Sequence, residues 1–317
     1  ERIRTRITFI DSNAKQEMDA LMARFKEMFA LARLRYAKAH DSYYLCQQPT
    51  LDHIYSDVES FPWHVPTLDN DSLSYYKGEY LEEGWDYYTP QKDCKGEWVV
   101  CNAEYAKSYS AIAFLFGKYL YKSLNVPVGI ILSAYGGTHA ESWTRQEVMQ
   151  NNPLYKNVLE KYTPQAMEPK GYNHKVPSSI WNYMVNPIVG YTIKGNIWYQ
   201  AESNAWRAED YAPIFTNMVN DWRELWGQKR LPFYFMQVAP YGQLPGKIRH
   251  EQAKVWDSKM LEEIGMPTAI DVGDSLDIHP KNKVIPAHRY VLWALAKEYN
   301  MNIECCGPRF KKMKIED

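Results

Sequence analysis

This chain of 317 residues has few cysteines, no long apolar run and almost no net charge. Its five cysteines are an odd number and form no CxxC pair, which argues against a structural metal site. It contains no stretch of about 18 apolar residues, so we expect no transmembrane helix. A formal charge of −1 without a basic run gives no indication of nucleic acid or anionic membrane as a partner. These absences leave a globular protein, as 45% hydrophobic and 24% charged residues also indicate.

A signal peptide is not visible either. Residues 1–30 lack its charged, apolar and cleavage segments. A signal removed upstream of Glu1 would leave the same sequence, so the location of the protein stays open at this point.

Apolar runs bounded by turn residues alternate with helical patterns along the chain. The predicted strands are Arg6–Ile10, Val126–Ser133, Lys194–Gln200, Pro232–Val238 and Pro267–Val272. The predicted helices are Ala14–Ala39, Ala103–Leu124, Ser178–Val189, Tyr211–Leu225, Arg249–Ile264 and Lys281–Asn300. This alternation predicts an α/β fold with a mainly parallel sheet covered by helices on both faces. Ligands of such sheets bind beyond the carboxyl ends of the strands.

Aromatic residues are plentiful, with 25 Tyr and 11 Trp. Their flat apolar faces and polar edges suit sugar binding as well as core packing. Many aromatic residues fall in Leu51–Trp98, which is rich in Asp, Tyr, Pro and Gly and has little periodicity. We predict that this stretch is a long excursion over the active-site face.

Three polar clusters follow predicted strands. The first is Ser133–Thr138, where paired glycines allow close approach to a ligand and the N–H of Gly137 could donate to an oxyanion. A tight strand-to-helix turn is the alternative. His139 and Glu141 nearby are interpreted as exposed loop residues, and Trp143 either stacks on a sugar or staples the loop.

The second cluster is Gln200–Asn204. Gln200 and Asn204 carry amide donors that could face developing negative charge. Asn204 alone would also suit a helix N-cap. Glu202 is expected to bind Arg249 or another basic residue and hold the loop.

The third cluster is Asp271–Pro280. An acid and an imidazole two residues apart, Asp277 and His279, predict a general base with its orienting carboxylate. The carboxylates of Asp271, Asp274 and Asp277 could instead bind Ca²⁺, although the spacing of an EF-hand is absent.

These clusters make the chain similar to the sialate O-acetylesterases of bacteria and animals. One block of that family reads P-x-G-L-I … G-G-T-x-x-E-x-W, another reads K-G-x-x-W-Y-Q-G-E-S-N, and a third holds the catalytic His. The corresponding segments here are Val126–Ile131 with Gly136–Thr138, Glu141 and Trp143, then Lys194–Asn204, and then Asp277–Lys283. The resemblance extends from about Trp98 to Asp317.

The resemblance implies an SGNH-type hydrolase, a three-layer α/β/α, flavodoxin-like domain that uses Ser with His and Asp and needs no metal or cofactor. It implies removal of an acetyl group from sialic acid or from plant polysaccharide sugars, and a periplasmic or secreted location. The site residues it implies are His279 as base, Asp277 as orienter, and Gly137, Gln200 and Asn204 in the oxyanion hole. Our own predictions for substrate binding are Trp143, Glu202 and Arg249.

The chain departs from the family at the nucleophile, whose G-Q-S-N-M block is absent. Ser12 is the predicted nucleophile, because it follows a predicted strand and an Asp, and Ser42 is the reserve. Two further departures are Ala201, where the family has Gly, and Pro286, which we expect to kink the last helix.

We therefore predict an atypical segment 1–50, an esterase domain 51–304 and the start of a C-terminal extension at 305–317. The predicted function is a serine-dependent carbohydrate O-acetylesterase acting on an acetylated sugar or oligosaccharide. The alternative is an impaired relative that retains the fold and acts as a carbohydrate-binding module.

Overall fold

The computed structural model describes residues 87–94, 98–101, 106, 109–258 and 260–307, and the backbone of 73–78 and 96–97. The chain divides into two compact units. Apart from four residues, the described part belongs to the second unit, Thr67–Lys122 with Pro127–Asp317. The predicted strand Arg6–Ile10 and helix Ala14–Ala39 lie outside the described residues.

The strands form two three-stranded sheets. In the first, the order is β2-β1-β3, with β1 antiparallel to β2 and parallel to β3. In the second, the order is β4-β5-β6 and all pairs are parallel, with Trp198 opposite Phe235 and Phe233 opposite Ile264. The strands are β1 Leu73–Gly78, β2 Gly96–Val100, β3 Val128–Ile131, β4 Asn196–Trp198, β5 Phe233–Phe235 and β6 Ile264–Gly265. The mainly parallel pairing confirms the predicted α/β class.

Seven α-helices accompany these strands in the described residues. They are α1 Ala111–Leu124, α2 Gln146–Met149, α3 Lys156–Lys161, α4 Pro164–Met167, α5 Tyr211–Leu225, α6 Lys247–Asp257 and α7 Val284–Lys297. Short 3₁₀ segments occur at Ala140–Trp143, Pro153–Tyr155, Glu168–Lys170, Asn173–Lys175, Asn186–Ile188, Glu202–Asp210 and Ile270–Val272, and a π-helix at Trp181–Val185. No described helix combines the length and apolar character that a bilayer crossing requires.

Aromatic side chains between the second sheet and α5 form the centre of the core. Phe233 and Phe235 of β5 are fully buried, and Phe215 of α5 packs against both. Trp198 of β4 meets Trp222 of α5 edge to face, with ring centroids 6.1 Å apart. This packing fixes the carboxyl end of β4, from which the second polar cluster continues.

Two sequence predictions of secondary structure are wrong. Leu51–Trp98, predicted as an excursion, contributes all of β1 and the start of β2. The strand predicted at Pro267–Val272 is a single bridge between Gln237 and Thr268 followed by a 3₁₀ turn. The true strand is the shorter β6, because the chain turns away from the sheet and leaves Ile270 exposed.

Pro286 does not break a helical hydrogen bond. The helix predicted at Lys281–Asn300 begins at Val284, so Pro286 falls in its first turn. N–H groups of a first turn have no partner within the helix, and proline therefore costs nothing there. Asn282 Oδ1 accepts the N–H of Ile285 at 3.1 Å and satisfies one of the other donors. The expected kink is corrected to a helix start.

Candidate active site

The three polar clusters line one cavity of about 1580 Å³. Gly137 lies after β3, Gln200 and Glu202 lie after β4, and His279 lies on the loop before α7. Residues of β3 and β4 themselves line the same cavity. The structure thus places the clusters at the carboxyl ends of parallel strands, where ligands of α/β sheets bind.

His279 projects from this loop into solvent, with 84% of its side chain exposed. Its Nδ1 lies 3.7 Å from Asp277 Oδ1, longer than a hydrogen bond. The same Asp277 oxygen accepts the backbone N–H of His279 at 2.8 Å. Asp277 therefore shapes the turn that presents the imidazole, and a small ring movement would bring the two side chains into hydrogen-bond contact.

Close packing holds the His279 loop against the segment after β5. The N–H of Gly242 donates to the carbonyl oxygen of Ser275 at 3.0 Å. A Cβ added at Gly273 would lie 2.4 Å from a Pro240 ring carbon, so only glycine fits there. The loop is therefore anchored four to six residues before His279.

The acidic residues of this loop are engaged separately. Asp271 accepts two hydrogen bonds from Arg289 at 2.6 Å, and Arg289 holds the pKa of Asp271 below its ordinary value. Asp274 accepts the backbone N–H of Leu276 at 2.8 Å. In the part of the chain that the structure describes, no group of His, Cys, Asp or Glu is arranged to hold a metal ion.

The glycine turn after β3 leaves Gly137 exposed with a positive φ of 74°, a conformation that favours glycine. Thr138 closes the turn, since its hydroxyl donates to the carbonyl oxygen of Tyr135 at 2.9 Å. Trp143 donates its indole N–H to the same hydroxyl at 2.9 Å. These hydrogen bonds hold the turn in place, so that its backbone faces the cavity.

Trp143 is buried, with 4% of its surface exposed, and packs edge to face on Trp198. Trp143 also lines the cavity, and its contacts with Thr138 and Trp198 hold the loop in place. Its predicted contact with the substrate stays a prediction.

Asn204 and Gln200 form a buried amide network. Asn204 Oδ1 accepts the N–H of Ala140 at 2.9 Å and the amide of Gln200 at 2.8 Å. Gln200 Nε2 also donates to the carbonyl oxygen of Thr138 at 3.0 Å. These bonds tie the loop after β4 to the loop after β3 and occupy both N–H groups of Gln200. Their predicted place in the oxyanion hole stays a prediction.

A buried ion pair lies beneath this network. Glu141, 1% exposed, pairs with Arg207, and its Oε2 accepts a hydrogen bond from Asn204 Nδ2 at 2.9 Å. Burial opposes the charge of Glu141, but Arg207 and Asn204 outweigh it and hold the pKa of that carboxyl below its ordinary value. The pair links two loops that are far apart in sequence.

His139 is buried beside this pair, and burial lowers the pKa of its imidazole to about 4. The interpretation of His139 and Glu141 as exposed loop residues is therefore wrong. Sequence reasoning missed Arg207 altogether. The signal for Glu141 was its place in the family block, where a carboxylate is part of the pattern.

Ala201, between Gln200 and Glu202, has φ 148° and ψ −16° and is fully buried. Residues with a Cβ are strained there, at a cost on the order of 1–3 kcal/mol. The backbone conformation at Ala201 thus favours glycine, the residue that the family has at this position.

We expect Ala201→Gly to raise the free energy of unfolding by about 1 kcal/mol, because relief of strain exceeds the entropy that glycine adds to the unfolded chain. Chemical denaturation of the purified variant measures this. Ala205→Gly is the matched control, since Ala205 is equally buried within the 3₁₀ helix and has no positive φ. Equal destabilisation by both substitutions would show that Ala201 is not strained.

Glu202 lies near His279 rather than Arg249. Burial raises the pKa of Glu202, and the charges of His279 and Lys283 offset this in part. Among the ion pairs of the described residues, none joins Glu202 to Arg249. Of the expected basic partners, Arg249 is therefore replaced by the alternative, other basic residues, here His279 and Lys283. Arg249 does not line the cavity in this structure.

The candidate nucleophiles Ser12 and Ser42 lie outside the described residues. Ser203 lines the cavity with His279, directly after Glu202. The nucleophile therefore stays a prediction.

Comparison with known proteins relates the chain to one family of esterases. The family model of the sialic acid-specific acetylesterases, which are carbohydrate esterases, matches residues 104–283, more than half of the chain. Sialate O-acetylesterase of Homo sapiens is 32% identical over 234 residues, covering 67% of this chain and 43% of that protein. The Mus musculus protein is 30% identical over 249 residues, covering 65% of this chain and 46% of that protein. The chain spans less than half the length of these curated relatives.

A solved structure shows the same fold. A carbohydrate acetylesterase from Xanthomonas citri superposes with a TM-score of 0.64 and 29% identity, covering 76% of this chain and 52% of that one. Together with the parallel strands and their helices, this likeness confirms the predicted three-layer α/β/α fold class. The chain therefore belongs to the family of sialic acid-specific acetylesterases, a family of carbohydrate esterases.

Proposed function

We propose that this chain is a carbohydrate O-acetylesterase in which a serine is the nucleophile and His279 is the general base. The observation that carries the proposal is the convergence of an exposed imidazole, a glycine turn and a half-buried carboxylate on one cavity. The names of the related proteins support an acetylated sugar as the substrate.

In the proposed reaction, His279 takes the proton of the serine hydroxyl while the serine oxygen attacks the acetyl carbonyl carbon. The resulting oxyanion needs N–H donors that are free before substrate binds. Collapse of this intermediate breaks the bond to the sugar oxygen, which receives the proton from His279. Water, activated by the same imidazole, then releases acetate from the serine.

Gly137 is the donor that the geometry favours for the oxyanion. Its backbone lies exposed in the turn at the cavity, whereas Gln200 has both amide N–H groups occupied inside the protein. Asn204 is fully buried beneath that turn. We infer that Gln200 and Asn204 position the glycine turn, and that Gly137 makes the contact with the oxyanion.

Two carboxylates can stabilise the imidazolium form of His279. Asp277 lies 3.7 Å from its Nδ1, and Glu202 is close enough for their charges to interact. We propose Asp277 as the orienting carboxylate and Glu202 as a second negative charge that favours protonation of His279 during the reaction.

The test is to incubate the purified chain with p-nitrophenyl acetate and, separately, with a serine-reactive fluorophosphonate, and to map the label by mass spectrometry. Turnover with label on Ser12 or Ser42 supports the proposal and identifies the nucleophile. Label on Ser203 instead would retain the esterase and replace the predicted nucleophile. If a sample shown to be folded gives no label and no turnover, the proposed enzyme is overturned in favour of a carbohydrate-binding module.

A further inference from the structure

Trp206 is an exposed aromatic residue that follows the cavity-lining residues Glu202 and Ser203 in the sequence. It has 77% of its surface exposed, the largest fraction of any aromatic side chain in the described residues. It lies in the 3₁₀ helix Glu202–Asp210, four residues after Glu202. An exposed indole offers a flat apolar face with a polar edge that a ligand beside the cavity can cover.

The period of the 3₁₀ helix places Trp206 on the face that carries Ser203. Side chains three residues apart eclipse each other in this helix, and the rise is about 2 Å per residue. Ser203 and Trp206, both before the kink at Arg207, therefore lie along one face, and both are at least partly exposed, while Asn204 and Ala205 are buried. Because Ser203 lines the cavity, Trp206 lies about 6 Å further along the same face.

The helix that carries Trp206 is held on its other side. Asn204 is anchored to the loop after β3, and Arg207 pairs with buried Glu141. Ala205 and Ala208 pack in the core. The indole is therefore presented from a fixed backbone, an arrangement that reduces the entropy lost when a ligand binds.

A second exposed apolar side chain lies on the loop that carries His279. Leu276 is 89% exposed and precedes His279 by three residues. Each of the two cavity-lining segments, one with Ser203 and the other with His279, thus carries an exposed apolar side chain three residues away.

We propose that Trp206 is a stacking platform for a sugar ring next to the acetylated one, so that the site selects acetylated oligosaccharides over single acetylated sugars. The apolar C–H face of a pyranose matches an exposed indole, and its hydroxyl groups remain in water. The inference rests on the proposed esterase function and adds a substrate class to it.

The test compares wild type, Trp206→Ala and Trp206→Phe on three acetyl esters. These are p-nitrophenyl acetate, O-acetylated sialic acid as a free sugar, and an O-acetylated xylo-oligosaccharide. We expect Trp206→Ala to lower kcat/KM for the oligosaccharide by roughly fivefold through KM, from the typical strength of an aromatic contact, and to leave both small esters unchanged. Trp206→Phe should retain much of the effect, because it keeps an aromatic face. Equal activity of wild type and Trp206→Ala on the oligosaccharide would overturn the platform while the esterase stands.

Binding separates this inference from the proposed function. The deacetylated xylo-oligosaccharide should bind wild type, as measured by calorimetry, and bind Trp206→Ala more weakly. If the wild type shows no turnover but binds this sugar, and Trp206→Ala weakens that binding, the esterase proposal is rejected and the platform is supported. No binding by wild type, together with no preference for the oligosaccharide ester, would overturn it.

Discussion

His279→Ala should reduce hydrolysis of p-nitrophenyl acetate by about a thousandfold or more, because it removes the general base that activates the serine. The side chain is largely exposed, so its removal leaves no cavity in the core and the fold should be unchanged. Initial rates of the variant measure the loss of activity. Its circular dichroism spectrum and melting temperature test whether the fold is unchanged.

The matched control for this substitution is His250→Ala. His250 is an exposed histidine on α6 and does not line the cavity. It should keep the wild-type rate, which excludes a general effect of losing an imidazole from the surface. Retention of most activity by His279→Ala would contradict the proposed base.

Local patterns made much of the fold predictable from the sequence. The bounds of α5 agree with the prediction, since Tyr211–Leu225 buries a regular apolar stripe against the second sheet. The predicted strands that became β3, β4 and β5 are each longer than the observed ones. Only the central residues of each run pair with a neighbour, and apolarity alone does not mark where pairing stops.

Parts of the site were predictable for the same reason. Asp277 and His279 lie two residues apart, so their proximity follows from the sequence, and the paired glycines predict the turn at Gly137. The buried pair of Glu141 and Arg207 was not predictable, because its members are separated by many residues and each looks like an ordinary charged loop residue. Only the folded chain shows that they meet.

Ala201 shows a different limit. The residue type gives no sign of a positive φ, and comparison with the family block, which has glycine, was needed to mark the position. The surrounding hydrogen bonds of Gln200 and Asn204 hold the loop in place and so force the strained conformation on Ala201.

The Glu141–Arg207 pair leads to the second large effect, on stability. Glu141→Gln preserves the shape of the side chain and the contact from Asn204, yet it leaves Arg207 without its carboxylate in a mostly buried position. Breaking a buried pair by removing one partner typically costs about 3 kcal/mol or more. We expect a loss of that size in the free energy of unfolding, measured by chemical denaturation.

The same 3₁₀ helix provides the control. Glu209 pairs with Lys247 at 2.9 Å, and both side chains are more than half exposed. Because water and salt screen such a pair, Glu209→Gln should leave the free energy of unfolding almost unchanged. The double variant Glu141→Gln with Arg207→Gln should recover part of the loss, since it removes the unpaired charge as well.

The pH dependence follows from the sign of the shift. The folded-state pKa of Glu141 lies below the 4.5 of a free carboxyl, so the stability it contributes is present above that pH and is lost as the pH falls through the lower, folded-state value. Glu141→Gln should flatten this acid limb of the stability profile. A variant as stable as wild type, with an unchanged acid limb, would show that Glu141 does not hold the two loops together. Gln200 and Asn204 would then owe their positions to the amide network alone.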